Sequence, residues 1–292
     1  VLYGRVLTLA LVTFILQNMF QSFLVAAERP KLGLGLTVAA GLTNMAGDWL
    51  LVGVLPWGVA GAAIATVASS FVGGVVPLVY FLLPNRTPLQ LVKPRLEGHV
   101  LTQTCSNGSS EMMGNLSTSL VSILYNFQLM RLIGEDGVAA FGVIMYVNFI
   151  FIGVFMGYSI GAGPVVSYHY GAGTQSELQS LLRKSLLLIL LFCAGLTAAA
   201  VVLAGPLSRI FVGYDSELLI LTTRGFRLYS LSFLAMGFNI FASAFFTALS
   251  NGVISAAIAF LRTLLFQTAA IFILPLFLEL DGIWLAVTAA EL

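Results

Sequence analysis

The chain is poor in charged residues. Of its 292 residues, 13 are Lys or Arg, 12 are Asp or Glu and two are His, so charged residues make up 9%. A soluble domain usually carries about 25%. The net charge is only +1, which gives no electrostatic bias toward nucleic acid. This composition excludes an ordinary soluble domain and predicts that nucleic acid is not a partner.

Residues and motifs for enzymatic chemistry are also scarce. The two cysteines, Cys105 and Cys193, lie far apart and neither belongs to a CxxC pair, so they predict neither a metal site nor a redox motif. The sequence contains no zinc motif, nucleophile elbow or phosphate-binding loop. We therefore expect no enzymatic activity, no cofactor and no metal site built from cysteine or histidine.

Long apolar segments dominate the chain. Hydrophobic residues make up 59% and the mean hydropathy is +1.00. A membrane-spanning helix needs about 20 mostly apolar residues. Eight segments meet that length: residues 6–27, 34–54, 58–83, 112–132, 138–168, 181–203, 226–249 and 253–278. A ninth apolar segment begins at residue 282. The pattern predicts an all-α, multi-pass membrane protein.

Charges in the connecting loops predict the orientation. Alternate loops form two sets, and the set that contains the polar connection at residues 84–110 has seven basic and three acidic residues. The opposite set has five basic and six acidic residues. Because cytoplasmic loops are enriched in Lys and Arg, the first set is predicted to be cytoplasmic. Its basic residues are Arg29, Lys31, Arg86, Lys93, Arg95, Arg183 and Lys184.

An internal repeat relates the start of the chain to its end. Residues in the spans 6–27 and 58–83 match residues in the span 226–249 and in the segment that begins at 282, at one constant offset of 221 residues without a gap. This constant offset favours a true repeat over a chance match between common residues. The two copies start six spans apart, so they have the same orientation and predict parallel repeats. The matching residues are Asn18, Phe20, Ser22, Ala27, Gly61, Ala65 and Ala68 in one copy and Asn239, Phe241, Ser243, Ala248, Gly282, Ala286 and Ala289 in the other.

The repeat also predicts a larger protein. In the second copy, three spans (112–132, 138–168 and 181–203) precede residues 226–249, whereas in the first copy none precedes residues 6–27. The chain also begins with Val1 rather than Met. We therefore expect two six-helix lobes and twelve spans in the intact protein, with the first three helices and most of the last missing here. Residues 1–83 would be spans four to six, residues 84–109 a cytoplasmic linker between the lobes, and residues 110–292 spans seven to eleven with the start of twelve.

Asp48 stands inside an apolar span, where a carboxylate is costly and usually functional. Asn44 is one helical turn before it and points to the same side. Thr66 lies on the next helix at a similar depth, because both residues are about nine residues, or about 13 Å, from the intervening turn. The three oxygens predict a site for Na+ or H+. The alternative is a purely structural, hydrogen-bonded helix pair with a protonated Asp48.

The second copy of the repeat lacks this oxygen cluster. The positions equivalent to Asn44, Asp48 and Thr66 are Leu265, Ala269 and Val287, which are all apolar. A coupling site needs to exist in only one lobe, so the first lobe is predicted to bind the ion.

Further ionisable residues away from the loops are Glu111, at the start of a predicted span, and Arg262 and Glu291, inside predicted spans. Glu111 starts a span, so it is either a helix N-terminal acid or a second acid that faces a central cavity. Arg262 replaces Gly41 of the first copy and either pairs with a carboxylate or snorkels. We assign to the substrate cavity Glu111, Tyr125, Asn126, Asn148, Asn239 and Arg262. For each polar residue, the alternative is a hydrogen bond between helices.

Several short motifs carry a family resemblance. They are Gly41-Leu-Thr-Asn44-x-x-x-Asp48, Gly58-Val-Ala-Gly61-Ala-Ala-Ile-Ala65-Thr66, Pro164-x-x-Ser167-Tyr-His-Tyr-Gly171-Ala and Asp281-Gly282-Ile-Trp284-Leu-Ala. Together they resemble the multidrug and toxic compound extrusion (MATE) family over essentially the whole chain. The segment from Ser109 to Asn126, followed by Phe141 to Tyr146, looks like the bacterial MepA-like branch.

The resemblance implies a function. MATE proteins are secondary transporters that export drugs and organic cations in exchange for Na+ or H+, with two lobes that rock around a central cavity. Asn44, Asp48 and Thr66 match three ligands of the family's cation site. A further acid of that site belongs to the family's first helix, which this chain lacks. Glu111 resembles a second-lobe acid, although that match is looser.

The resemblance also implies the partners and the location. We expect a small-molecule drug or organic cation as substrate, contact with membrane lipid, a monomeric state and a place in the bacterial cytoplasmic membrane. A lipid-linked saccharide flippase of the same superfamily is the nearest alternative, although such a flippase would more often have a strongly basic cavity. An ion channel is a third interpretation, and no filter-like segment supports it.

Overall fold

The computed structural model describes residues 4, 8, 10–84, 87, 89–93 and 96–292, apart from the side chain of Ser110. Its chain divides into two compact units, Val1–Arg95 and Leu96–Leu292. The regular elements are all helical in the described part, which confirms the all-α fold class. The first unit contains α1 (Leu11–Ala26), α2 (Pro30–Asp48, continued by the π-helical turn Trp49–Val54) and α3 (Gly58–Leu82).

The second unit contains seven helices among its described residues. Helices α7 and α8 meet at a bend of 50°. Helix α9 includes a second π-helical turn at Phe260–Phe266, and α10 is interrupted at Glu279 by a non-helical φ of 50°. The helices are α4 (Gly98–Leu132), α5 (Glu135–Gly171), α6 (Gln175–Val212), α7 (Ser216–Ser230), α8 (Phe233–Ala248), α9 (Gly252–Ile273) and α10 (Pro275–Glu291).

Fewer helices meet a strict test for spanning a membrane than the eight predicted segments. Among the described residues, α3, α5, α6 and α9 are long and apolar enough, and the bent pair α7–α8 makes five. Helix α1 has only 16 residues, and α2 and α4 carry polar residues within their apolar faces. The apolar surfaces nevertheless point outward, as Leu187, Leu190 and Leu191 of α6 show, since each is more than half exposed.

Three predicted boundaries differ from the structure. Helix α4 begins at Gly98, well before the predicted span at residue 112, because polar residues extend the helix beyond its apolar part. The predicted linker at residues 84–109 is therefore helical from Gly98 onward, and its residues 85, 86, 88, 94 and 95 lie outside the described residues. The predicted span 253–278 ends early, because α9 stops at Ile273 and α10 starts at Pro275.

The internal repeat is visible in the backbone. Helices α1 and α8 both contain 16 residues. The turn before α3 has a left-handed residue at Gly58 (φ 54°), and its equivalent in the second copy, Glu279, has φ 50°. Left-handed residues also occur in the turns that follow α1 and α8, at Glu28 (φ 60°) and Ser250 (φ 57°), one residue out of register with the repeat. The two copies therefore share a helix–turn–helix–turn–helix backbone as well as a sequence pattern.

Glycines allow close helix contacts in the first unit. A Cβ atom at Gly74 of α3 would lie 2.7 Å from the backbone oxygen of Thr13 on α1, and one at Gly73 would meet the side chain of Gln17. Nearby, the rings of Phe20 and Phe81 stack with centroids 5.6 Å apart. Small residues that permit backbone approach are the usual means of packing helices in a membrane.

A large aromatic core holds the second unit together. Trp284 of α10 is 1% exposed and lies against Gly225 of α7, while the ring of the buried Tyr125 stacks on Phe141 at 4.5 Å. The phenol of Tyr125 donates a hydrogen bond to the carbonyl oxygen of Ile283. Helices α4, α5, α7 and α10 are thus joined in one apolar cluster.

Substituting Gly225 with Ala is expected to destabilise this core. An added Cβ would lie 2.8 Å from two ring atoms of the buried Trp284, which cannot move without repacking. Overpacking of this kind costs about 1–3 kcal/mol. Thermal unfolding of the purified protein in detergent measures the loss. Gly205→Ala in α6 is the control, because nothing lies within 4 Å of its new methyl group. Equal midpoints for the two variants would contradict the prediction.

Candidate functional site

Asp48 is the last residue of the regular part of α2, immediately before the π-helical turn. Its side chain is half-buried, and its Oδ1 atom is buried without a hydrogen-bond partner. A buried polar atom without a partner is uncommon in a folded protein and costs free energy. Asp48 is therefore an acid with one carboxylate oxygen that no described residue satisfies.

The contact between α2 and α3 is very close next to this acid. A Cβ atom at Gly47 would lie 2.8 Å from the Cβ of Ala65. Because α2 and α3 run antiparallel, Asp48 and Thr66 lie one residue beyond this contact in opposite directions, about 3 Å apart along the helix axes. The close approach at Gly47 is consistent with the similar depth that the count of residues to the intervening turn predicted.

The other two predicted ligands remain able to offer oxygen atoms. Thr66 donates its hydroxyl proton to the carbonyl oxygen of Ala62 at 2.9 Å, so its Oγ1 lone pairs can accept or coordinate. Asn44 is partly buried and lies one helical turn before Asp48. A carboxylate, a hydroxyl and an amide form an oxygen-rich set that suits a hard cation, and the carboxylate alone suits a proton.

The equivalent place in the second unit is apolar. Val287, the counterpart of Thr66, is 3% exposed and packs in the aromatic core. Leu265 and Ala269 of α9 are the counterparts of Asn44 and Asp48, and neither offers an oxygen-bearing side chain in their place. The oxygen cluster is thus unique to the first unit at these repeat positions.

The second unit holds a different polar cluster. Arg262 pairs with Glu291 through its Nη1 atom, which lies 3.3 Å from each carboxylate oxygen. Asn239 donates from Nδ2 to Glu291 Oε2 at 2.8 Å and to the Glu291 carbonyl oxygen at 2.7 Å. Of the two interpretations of Arg262, pairing and snorkelling, the structure shows pairing.

Sequence reasoning did not assign Glu291 to any site. It was recognised only as an ionisable residue inside a span, and Arg262 as a base in need of a partner. Because the two residues lie on different helices, far apart in the sequence, no spacing rule joins them. The feature of the sequence that could have suggested this ion pair is the presence of one acid and one base in adjacent apolar segments.

The remaining assigned residues make no hydrogen bond to this cluster among the described residues. Tyr125 is buried in the aromatic core, and Asn148 is 5% exposed with its Oδ1 lacking a hydrogen-bond partner. Asn126 donates to the carbonyl oxygen of Ser122 within its own helix. For Tyr125, the hydrogen bond to Ile283 supports the alternative of helix-to-helix bonding over a cavity role.

Glu111 is not a helix N-terminal acid. Helix α4 begins at Gly98, so Glu111 lies more than three turns inside it, beyond the reach of the helix-end dipole. Its side chain is exposed. The alternative that Glu111 is a helix N-terminal acid is therefore wrong, because α4 continues through the polar residues that precede the apolar span.

Taken together, the helical fold, the outward apolar surfaces and the buried ionisable residues define a polytopic all-α membrane protein. The MatE family model matches residues 112–273, which is more than half of the chain. The chain therefore belongs to the MatE family, the MATE transporters, and the predicted family is confirmed. Membership of the MepA-like branch stays a prediction.

Solved structures show the same fold. A multidrug resistance MATE family transporter of the MOP superfamily, in an outward-facing conformation, matches with a TM-score of 0.93 at 19% identity, covering 99% of this chain and 65% of its own. A MOP superfamily transporter from Pyrococcus furiosus Vc1, described as having a binding pocket of reverse polarity, matches with a TM-score of 0.92 at 20% identity, covering 99% and 66%.

A third structure, of MATE in complex with MaL6, matches with a TM-score of 0.92 at 20% identity, covering 99% of this chain and 66% of its own. The chain thus spans just under two thirds of the length of these solved proteins. No curated protein is similar enough to this sequence to count as a match.

Proposed function

We propose that the protein is a secondary active efflux transporter that exports drugs or organic cations in exchange for Na+ or H+. The observation that carries the proposal is the buried, unpartnered Oδ1 of Asp48 at the close approach of α2 and α3. Intramembrane acids mark ion pathways and proton relays in transporters. Membership of the MATE family supports the same reaction class.

Asp48 would couple the ion to a change in the two helices. Without a ligand, its carboxylate is a charge in a poorly solvated place; Na+ or H+ neutralises it. Thr66 and Asn44 would complete the shell of a bound Na+ from the two sides of the helix contact. Because the ion favours the state in which these oxygens converge, its binding shifts the equilibrium between access states.

The wider setting of the proposal follows the sequence predictions. Residues 1–83 and 110–292 would belong to two lobes joined by a cytoplasmic linker at residues 84–109. The protein would act as a monomer in the bacterial cytoplasmic membrane, with lipid around it and no nucleic-acid partner. Glu111, Asn126 and Asn148 stay candidates for the substrate cavity.

A lipid-linked saccharide flippase is the second candidate. Such a protein would more often have a strongly basic cavity. Among the described residues, Arg262 alone is a base near the middle of an apolar membrane-spanning helix, which is less than a strongly basic cavity would require. Glu291 already pairs with Arg262, so the cluster is close to neutral. This compensation favours the efflux transporter over the flippase.

Transport in proteoliposomes tests the proposal. The purified full-length protein is reconstituted, and uptake of a fluorescent organic cation is followed while Na+ and pH gradients are set independently. A tenfold gradient of a monovalent ion supplies about 1.4 kcal/mol, enough for about tenfold accumulation in a one-to-one exchange. We expect one of the two gradients to drive this accumulation. Equal uptake with and without both gradients would refute ion coupling, and gradient-independent movement of a labelled lipid-linked saccharide would favour the flippase.

A further inference from the structure

Arg262 lies near the middle of a membrane-spanning helix. It is ten residues after Gly252, the first residue of α9, which corresponds to a rise of about 15 Å. The hydrocarbon core of a bilayer is about 30 Å thick. Arg262 is therefore close to the midplane, too deep to meet the headgroups of surrounding lipids.

The guanidinium of Arg262 uses only part of its hydrogen-bonding capacity. One nitrogen, Nη1, makes both contacts with Glu291, each at 3.3 Å, instead of the two parallel bonds of a fork-to-fork pair. The Nε atom is buried and has no hydrogen-bond partner. A guanidinium carries five N–H donors. The hydrogen bonds of Arg262 among the described residues use Nη1 alone, and Nε is buried, so Nη2 is the nitrogen that can meet an acceptor.

Glu291 has a second hydrogen-bond donor besides Arg262. Its Oε2 atom accepts a shorter hydrogen bond, 2.8 Å, from Asn239. Its side chain is 7% exposed, compared with 20% for Arg262. A compound that reaches this cluster therefore meets the cation before the carboxylate. Arg262 is therefore the more exposed partner of this nearly neutral ion pair.

We propose that the Nη2 group of Arg262, whose side chain is 20% exposed, binds an anionic group, such as a carboxylate, on the transported compound. A hydrogen bond from a charged donor to an ionised acceptor is stronger than one between neutral groups. The site would extend the range of ligands from organic cations to zwitterionic compounds with a carboxylate. This inference rests on the proposed function in one respect only: it takes the ligand to be a transported molecule.

The repeat supports a dedicated role for Arg262. Its counterpart in the first unit is Gly41, and the counterpart of Glu291 is Ser70, whose hydroxyl donates to the carbonyl of Thr66. Asn239 and its counterpart Asn18 are both asparagine. The second unit thus has an acid and a base together, on two different helices, at positions where the first unit has small residues.

A pair of dyes tests the proposal. A rhodamine with a free carboxylate and the methyl ester of the same dye differ only in the anionic group. Equilibrium binding to the full-length protein in detergent is measured by fluorescence anisotropy, without any ion gradient. A hydrogen bond to a charged group is worth enough to change affinity by about 10- to 100-fold. We expect Arg262→Met to weaken binding of the carboxylate dye by that factor and to leave the ester within about twofold.

Controls separate binding from folding. Arg262→Met leaves Glu291 without its partner charge, so the neutral double variant Arg262→Met with Glu291→Gln is measured as well, and it should show the same selective loss. Arg224→Met replaces an exposed arginine that pairs with Asp281 and should change neither dye. An unchanged ratio of the two affinities in the double variant, or no binding of either dye to the wild type, would overturn the proposal.

The outcome is independent of ion coupling. Because binding is measured without a gradient, Asp48→Asn should leave the ratio of the two dye affinities unchanged. If transport proves insensitive to Na+ and H+ while the ratio still depends on Arg262, then the proposed function fails and the anion site stands. If transport is coupled to an ion but the ratio of the two dye affinities does not depend on Arg262, then the proposed function stands and the anion site fails.

Discussion

Replacing Asp48 with Asn is expected to reduce ion-driven transport to the level of empty liposomes. The amide keeps the size of the side chain but cannot bind a proton and carries no charge to attract Na+. The fold should survive, because the change removes a partly buried carboxylate whose Oδ1 has no hydrogen-bond partner. Burial of an uncompensated charge is costly, so the variant should unfold at the same temperature as the wild type or higher.

The measurement is substrate uptake under the driving gradient, compared at equal protein content in the membrane. Asp281→Asn is the matched control: it is the same substitution at an exposed ion pair with Arg224, and it should retain transport. Exposed pairs of this kind contribute about 0–1 kcal/mol to stability. Normal gradient-driven uptake by Asp48→Asn would show that the coupling ion binds elsewhere.

Replacing Gly47 with Leu is expected to destroy the site by a purely steric route. Even the Cβ atom of the new residue would lie 2.8 Å from the Cβ and 3.2 Å from the Cα of Ala65. Helices α2 and α3 must then move apart at the level of Asp48 and Thr66. Overpacking costs about 1–3 kcal/mol, and we expect both a lower unfolding temperature and the loss of coupled uptake.

The same helix supplies the control for this variant. Gly41→Leu introduces an identical side chain earlier in α2, where nothing lies within 4 Å of the added Cβ. Leu is a better helix former than Gly by roughly 0.5–1 kcal/mol, so Gly41→Leu should be neutral or slightly stabilising. If the two variants behave alike in unfolding and in uptake, the close contact at Gly47 has no part in the function.

Much of the fold was predictable because the membrane limits the choices. Long apolar segments must be helices, since a lipid environment leaves backbone groups no other way to be satisfied. The repeat then predicted the similarity that the backbone confirms at Gly58 and Glu279. Asp48 stood out for the same reason, as a charge in a place where charges are expensive.

The breaks between helices were not predictable in this way. Hydropathy reports the environment of a side chain and says little about the path of the backbone. The bend between α7 and α8 lies in a largely apolar segment, so hydropathy does not mark it. The early end of α9 is marked by Pro275, which starts the next helix, and hydropathy alone does not register this signal. The early start of α4 is the opposite case, in which a polar segment continues a helix beyond its apolar part.

Partners across helices were also beyond sequence reasoning. Tyr125 looked like a cavity residue because a phenol is polar, yet its hydroxyl bonds to the backbone at Ile283, on a helix distant in sequence. The partner of Arg262 had to be one of several acids, and only packing selects Glu291. Asp48 differs because Asn44 and Thr66 are predicted as its co-ligands from local helix geometry and one short turn.

The π-helical turns of α2 and α9 have a consequence for how the two charged sites could change. A π turn is wider than an α turn, so it holds extra residue length within an otherwise regular helix. If such a turn tightened by one residue, the helix beyond it would rotate by about 100°, the angle per residue of an α-helix. In α2 the turn starts directly after Asp48, and in α9 it contains Arg262. A local rewinding would therefore change the set of side chains around each charge without unfolding either helix.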